Sequence, residues 1–255
     1  MIKEKINKLF AVTLLSSSMV AMPAFAQNNA EDLVQQHMDR AAIEEIVKNY
    51  ILENGDIIIE GIDAFQMRQA EEEAKAAEAA IQNESAFLYE NDHPVAGNPD
   101  ASVSVVEFFD YNCGYCKKAL VDVRDIVDSG EDIRFVFMET PILSPSSKEV
   151  SKWSLAADKQ GKYFDYHVEL MEHRGQYDEK TLIKLAKKAG LDVDQLMADK
   201  ESPDVEAQIN ENLEYMQKFG VRGTPTFIVE NRMMRGYVGK ERLLDTANEI
   251  RESKK

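Results

Sequence analysis

Cys113 and Cys116 are the only cysteines in the 255-residue chain, and no other feature constrains it as tightly. They stand three residues apart, where the apolar run 103–109 gives way to the helical spacing of Ala119, Leu120, Val123, Ile126 and Val127. A Cys-x-x-Cys pair at a strand-to-helix turn reads as a redox dithiol. A cysteine in the first helical turn faces unpaired backbone N–H groups and the positive end of the helix dipole, both of which favour the thiolate. Cys113 is therefore the expected nucleophile. Cys116, one turn further in, is the expected resolving thiol, which attacks a mixed disulfide and releases the partner. Three other readings compete. Structural zinc needs four ligands, but no second cysteine pair exists and His37, His93, His167 and His173 are scattered. A purely structural disulfide across so short a loop would constrain the unfolded chain little. Copper(I) suits two soft thiolates, so Cys113 and Cys116 keep copper binding as a secondary role. No other metal site and no cofactor beyond the Cys113–Cys116 disulfide is expected.

Residues 1–26 read as an export signal: Lys3, Lys5 and Lys8, an apolar run over 9–20, then Ala24-Phe25-Ala26 as a small-x-small cleavage site. The apolar run is too short for a permanent span, though an uncleaved signal anchor is the alternative. No later segment reaches 18 apolar residues and no cysteine follows the signal to carry lipid. The expected location is the periplasm of a Gram-negative bacterium, which permits disulfide chemistry, with no membrane insertion after cleavage. The formal charge of -16 becomes two charges more negative once the signal is removed. So acidic a surface disfavours nucleic acid and anionic lipid as partners. The hydrophobic fraction of 44% suits a sizeable globular domain with an appendage.

That appendage is expected over 27–90. Leu33, Val34, Met38, Ala41, Ile43, Ile46, Val47, Tyr50 and Ile51 recur at three- and four-residue intervals, as on an amphipathic helix that Asn54-Gly55 breaks. A second helix carries Ile58, Ile59, Ile62, Phe65 and Met67. It runs into the Ala/Glu-rich stretch 69–80, a strong helix former with little to bury. Two such helices cannot cover their own apolar stripe, so self-association is the favoured expectation; folding back onto the catalytic domain is the alternative.

The catalytic domain is expected over 91–255. Residues 86–89 read as a short strand and 102–109 as a central strand buried on both faces. Glu107 is out of place in that strand. It either faces solvent or is a carboxyl held close below the dithiol, with a raised pKa suited to moving a proton to or from Cys116. Residues 133–138 read as a strand, and about 146–219 as a helical insertion with breaks near Gly161, Gly175, Gly190 and Pro203. A strand opened by Pro225, a turn at Asn231-Arg232, a strand over 233–237 and a helix over 240–251 close the chain. The histidines and Tyr163, Tyr166 and Tyr177 receive no role.

This order, with Glu107-Phe108-Phe109-Asp110-Tyr111-Asn112-Cys113-Gly114-Tyr115-Cys116-Lys117 and Gly220-Val221-Arg222-Gly223-Thr224-Pro225-Thr226-Phe227, resembles the DsbA-type branch of the thioredoxin fold. The implied class is α/β, a thioredoxin fold with a helical insertion. The helical arm in front resembles that of the ScsC (suppressor of copper sensitivity) group in its trimeric form. The resemblance implies that Cys113 and Cys116 are the nucleophilic and resolving thiols. It also implies a cis-proline at Pro225 facing the disulfide, and a buried acid at Glu107. Strongly oxidising DsbA proteins carry Pro-His between the cysteines, where this chain has Gly114-Tyr115. Tyr115 lacks the charge with which a histidine stabilises the thiolate, so the couple should be less oxidising. Gly-Tyr, with Thr224 before the proline, is similar to periplasmic disulfide isomerases such as DsbC. The expectation is a disulfide isomerase or reductase, with a DsbA-like oxidase or a copper(I)-binding module for copper tolerance as alternatives. Gly114, Tyr115 and Thr224 should line the client site. Expected partners are cysteine-containing client proteins, a DsbD-like or ScsB-like inner-membrane redox protein and two further copies of the chain.

Overall fold

The computed structural model describes residues 40–255; the export-signal reading of 1–26 lies outside the described residues. Two compact units divide between Ala64 and Phe65. The first holds α1 (Arg40–Glu53) and the opening turns of α2 (Gly55–Asn83). Asn54 breaks the path where expected: its N–H and its side-chain Nδ2 both donate to the Tyr50 carbonyl at 2.9 Å. No residue of α1 is buried. Ile46, Val47, Tyr50, Ile51, Ile58, Ile59 and Ile62 are all exposed in the chain by itself.

The second unit is built on a sheet of β1 (Val95–Gly97), β2 (Val103–Phe109), β3 (Ile133–Glu139), β4 (Thr226–Val229) and β5 (Arg232–Arg235), in the order β1-β3-β2-β4-β5. Only β2 and β3 run parallel, and the crossover a parallel pair requires is α4 (Gly114–Asp128). Between β3 and β4 lies the insertion: α5 (Pro145–Asp158), α6 (Tyr163–Glu172), α7 (Glu179–Lys188), α8 (Val193–Asp199) and α9 (Pro203–Lys218). Its breaks are those legible in the sequence. Gly161 and Gly190 take left-handed backbone, φ +65° and +74°, after α5 and α7, and Pro203 sits in the first turn of α9. The chain closes with α10 (Lys240–Ser253).

β2 is buried at every position but Ser104, and its alternation sorts the core into two faces. Val103, Val105 and Phe109 pack with Ala119, Leu120, Val123 and Ile126 of α4. Val106 and Phe108 pack on the other face with Ile81, Phe87, Leu88, Phe219 and Ile228. Here the structure departs from the sequence reading. Residues 86–89 are not a strand but part of α3 (Ser85–Tyr89), a difference that a four-residue apolar run has no period to reveal. The compact unit that holds the sheet includes the chain from Phe65 onward. Ala77 and Ile81 of α2, with Phe87 and Leu88 of α3, cover the second face of the sheet. Phe87 stacks on Tyr215 with ring centroids 3.4 Å apart. Arg222 to Glu73 at 3.0 Å and Asn231 to Glu78 at 2.7 Å hold the same stretch of α2.

Candidate active site

Strand β2 ends at Phe109, and four residues carry the chain to the first turn of α4. Their conformation is set by Asp110. One carboxylate oxygen accepts the Asn112 N–H and the Ser147 hydroxyl, both at 2.8 Å; the other accepts the N–H groups of Ile142 and Leu143 at 2.8 and 2.9 Å. The Asp110 carbonyl accepts the Cys113 N–H at 2.9 Å. Cys113 is then the N-cap of α4, its sulfur accepting the Cys116 N–H at 3.2 Å as a capping oxygen would.

Both cysteines are free thiols and both are buried, Cys113 at 6% exposure and Cys116 at 1%. Across from them the Thr224–Pro225 peptide is cis, as the family resemblance implied. The Thr224 carbonyl lies 3.3 Å from the Cys113 sulfur, in position to accept its proton. The two thiols are driven apart electrostatically. The hydrogen bond from the Cys116 thiol, then the Thr224 side chain and the N–H groups of Cys116 and Tyr115, pull Cys113 down to about 6, against burial. Burial, the Cys113 sulfur and the Glu107 carboxyl hold Cys116 far above the ordinary thiol range. Among the described residues the buried Thr224 hydroxyl has no hydrogen-bond partner apart from its interaction with the Cys113 sulfur.

Glu107 is 2% exposed, so the solvent-facing alternative does not hold. It shares its face of β2 with Val105 and Phe109, the face that packs against the dithiol. Burial, then the charge of Cys113, push it up to about 8. Gly114 and Tyr115 are exposed, Tyr115 at 66%, while Pro225 is buried behind them. The structure thus brings Cys113, Cys116, Glu107, Thr224 and Pro225 together, with Gly114 and Tyr115 at the rim.

Sequence reasoning missed two further groups of residues. Lys117, next to the dithiol, donates to the His173 carbonyl at 2.6 Å and to the Tyr177 hydroxyl at 2.7 Å; burial, then Arg174, hold its amine down to about 8. The second group surrounds Glu139, fully buried where β3 ends. A carboxyl at the end of a largely apolar strand was the signal available for it, where Glu107 stood inside one. Among the described residues no cluster of three or more His, Cys, Asp or Glu is arranged to hold a metal, and no helix is long and apolar enough to cross a membrane.

Comparison with known proteins agrees with this geometry. Residues 89–247 match the family model for Thioredoxin, and residues 39–72 match that for the Copper resistance protein ScsC N-terminal domain. A thioredoxin-like oxidoreductase from Silicibacter pomeroyi DSS-3 is 40% identical with a TM-score of 0.63, covering 66% of this chain and 97% of that one. The catalytic domain of Proteus mirabilis ScsC is 25% identical with a TM-score of 0.62, covering 68% and 97%. The Na(+)/H(+) antiporter NhaA of Herminiimonas arsenicoxydans is 32% identical over 148 residues, 58% of this chain but only 24% of that protein. The chain thus spans about a quarter of the length of the curated relatives it matches. A Cys-x-x-Cys pair capping the helix between two parallel strands, set against a cis-proline and preceded by an ScsC-type N-terminal domain, places this chain in the thioredoxin family.

Proposed function

We propose that this chain is a periplasmic thiol-disulfide oxidoreductase, working as a protein disulfide isomerase or reductase rather than as a dedicated oxidase. The observation that carries the reading is the inequality of the two thiols. Cys113 is held near 6, a thiolate at neutral pH, while Cys116 keeps its proton. The Cys113 thiolate attacks a client disulfide, forming a Cys113–client bond and expelling the other client sulfur as a thiolate, which takes up a proton. In isomerisation a client thiolate then attacks the mixed disulfide and Cys113 leaves unchanged, with no net transfer of electrons. In reduction Cys116 loses its proton and attacks the Cys113 sulfur. The client leaves with two electrons and Cys113–Cys116 becomes a disulfide.

Glu107 is the base for that second step. Its carboxyl is raised partly by the Cys113 charge, which disappears once Cys113 is in a mixed disulfide, so it ionises more readily when the Cys116 proton must move. Tyr115, exposed and uncharged, adds no further stabilisation to the thiolate, which supports a less oxidising couple. A client strand would lie along Thr224 and Pro225 by backbone pairing, between the rim residues Gly114 and Tyr115. Continuous reduction needs the dithiol restored, for which an inner-membrane DsbD-like or ScsB-like donor is the proposed partner.

The exposed apolar residues of the first unit and the match over 39–72 support a homotrimer. The reading over 1–26 supports export. The competing copper(I) role needs both sulfurs as thiolates, whereas Cys116 is held strongly protonated; stoichiometric copper binding without activity on scrambled ribonuclease would favour it. The direct test is trapping. Cys116→Ala should accumulate mixed disulfides with client proteins and Cys113→Ala none, read on non-reducing gels. Equal trapping by both variants overturns the assignment.

A further inference from the structure

The carboxyl of Glu139 stands at the end of β3, and its surroundings differ in kind from those of Glu107. It closes β3 directly opposite Phe109, the last residue before the loop. Tyr111 and Tyr163 donate their hydroxyls to one oxygen at 3.0 and 2.9 Å, and Ser151 donates to the other at 2.7 Å. Burial pushes its carboxyl up to about 7, against the hydrogen bonds from Ser151, Tyr163, Ser154 and Tyr111, and no positive charge figures among the groups acting on it. The Tyr111 oxygen also lies 2.6 Å from the Ser154 hydroxyl and 3.0 Å from His167 Nδ1. Tyr111 has one proton, and Glu139 takes it. Ser154 and His167 complete the set of buried partners around the tyrosine oxygen.

Tyr111 is fully buried and stands two residues before Cys113. The Tyr177 hydroxyl, which donates to the Leu170 carbonyl at 2.7 Å and lies 3.2 Å from the Tyr111 carbonyl, is the one to which Lys117 donates. The loop between β2 and α4 is therefore gripped twice by the connection that leaves β3. Asp110 binds the N–H groups of Ile142 and Leu143, and Tyr111 binds Glu139. The direction in which the Cys113 sulfur meets the first turn of α4 depends on both.

We propose that Glu139 is a positioning residue for the dithiol: its carboxyl, held by Tyr163 and Ser151, orients Tyr111, and through Tyr111 the backbone that presents Cys113 at the N-terminus of α4. This rests on Cys113 being the reactive thiolate. Removing the Tyr111–Glu139 bond lets the loop relax, lengthens the N–H contacts to the sulfur and weakens the thiolate.

The test is titration of the Cys113 thiolate by its ultraviolet absorbance in the reduced full chain. The same samples are assayed for attack on a small aromatic disulfide at about pH 5, below the Cys113 midpoint. Glu139→Gln and Tyr111→Phe should each move the titration up by about half a pH unit, a roughly threefold loss of thiolate and of rate below the midpoint. The double variant should shift no further than the larger single one, because both remove the same bond. Tyr166→Phe is the control: it removes an equally buried hydroxyl bond, to the Leu182 carbonyl, that does not reach the loop. It should lower the unfolding midpoint and leave the titration in place. An unchanged titration in folded Tyr111→Phe overturns the proposal, as does an equal shift in Tyr166→Phe. If Glu139→Gln does not fold, Tyr111→Phe decides alone. A wild-type chain with no thiolate titration below pH 7 refutes the dithiol reading instead.

Discussion

Isoleucine serves two opposite purposes in this molecule. In the first unit Ile57, Ile58, Ile59 and Ile62 are 43% to 59% exposed. In the second, Ile81, Ile126 and Ile133 are each 1% exposed. The same side chain, often on the same kind of helix, is covered in one region and bare in the other. Burial of each such residue is worth about 1.5–3 kcal/mol, so a row of them in water is a cost that only a second surface removes. The contrast fits the proposed division, in which the first unit's sequence serves association and the second's serves folding and the dithiol.

The strongest test of that division is to remove the first unit. Deleting residues 27–64, and not 27–90, keeps Ala77, Ile81, Phe87 and Leu88 on the sheet. The product should be a folded monomer that reduces small disulfides normally but loses about tenfold or more of its isomerase activity on scrambled ribonuclease. Linked dithiols give a client bound at one subunit a high effective concentration of the next. Light scattering and the refolding assay decide it, and undiminished isomerase activity in the monomer would leave the first unit without a role in the chemistry.

Single substitutions sharpen the contrast. Ile81→Ala should destabilise the second unit by about 2–4 kcal/mol in denaturant titrations without altering the oligomer. Ile59→Ala should weaken association on dilution and change the stability of the second unit by no more than about 0.5 kcal/mol. If both act on the same property, the two regions are not doing different work.

The remaining test concerns Glu107, which ionises near 4.5 in the unfolded chain and near 8 in the folded one. Between those values the folded state binds more protons, so Glu107 makes stability fall as pH rises. Cys113, near 6 when folded against 9 when unfolded, acts in the opposite direction and strengthens the fold from pH 6 to 9. Glu107→Gln removes only the first contribution. The variant should gain on wild type from pH 5 to pH 8, by on the order of 2 kcal/mol, while resolving mixed disulfides more slowly. Parallel pH dependences in the two proteins would mean that Glu107 is not a buried acid in solution.

Much of the site was legible along the chain because its signals are local. Two cysteines three apart, the switch from strand to helix spacing at Asp110, the breaks at Gly161, Gly190 and Pro203, and a proline opening β4 each depend on a few neighbouring residues. Caps, turns and periodicity act over one or two helical turns, so they can be read without knowing what lies opposite. The burial of Glu107 could not be read that way, since a strand covered on both faces leaves no alternation to say which positions are wet. Nor could the packing of α2's last turns and α3 on the sheet, because that face is assembled from segments as far apart as Val106 and Ile228. Glu139 draws its partners from residues 111, 151 and 163, which meet only when β2, β3 and the insertion close around them. The sequence by itself determined the dithiol and the order of elements around it. Tertiary structure alone decided which carboxyls are buried and what holds them, because desolvation and hydrogen-bond partners come from segments distant along the chain.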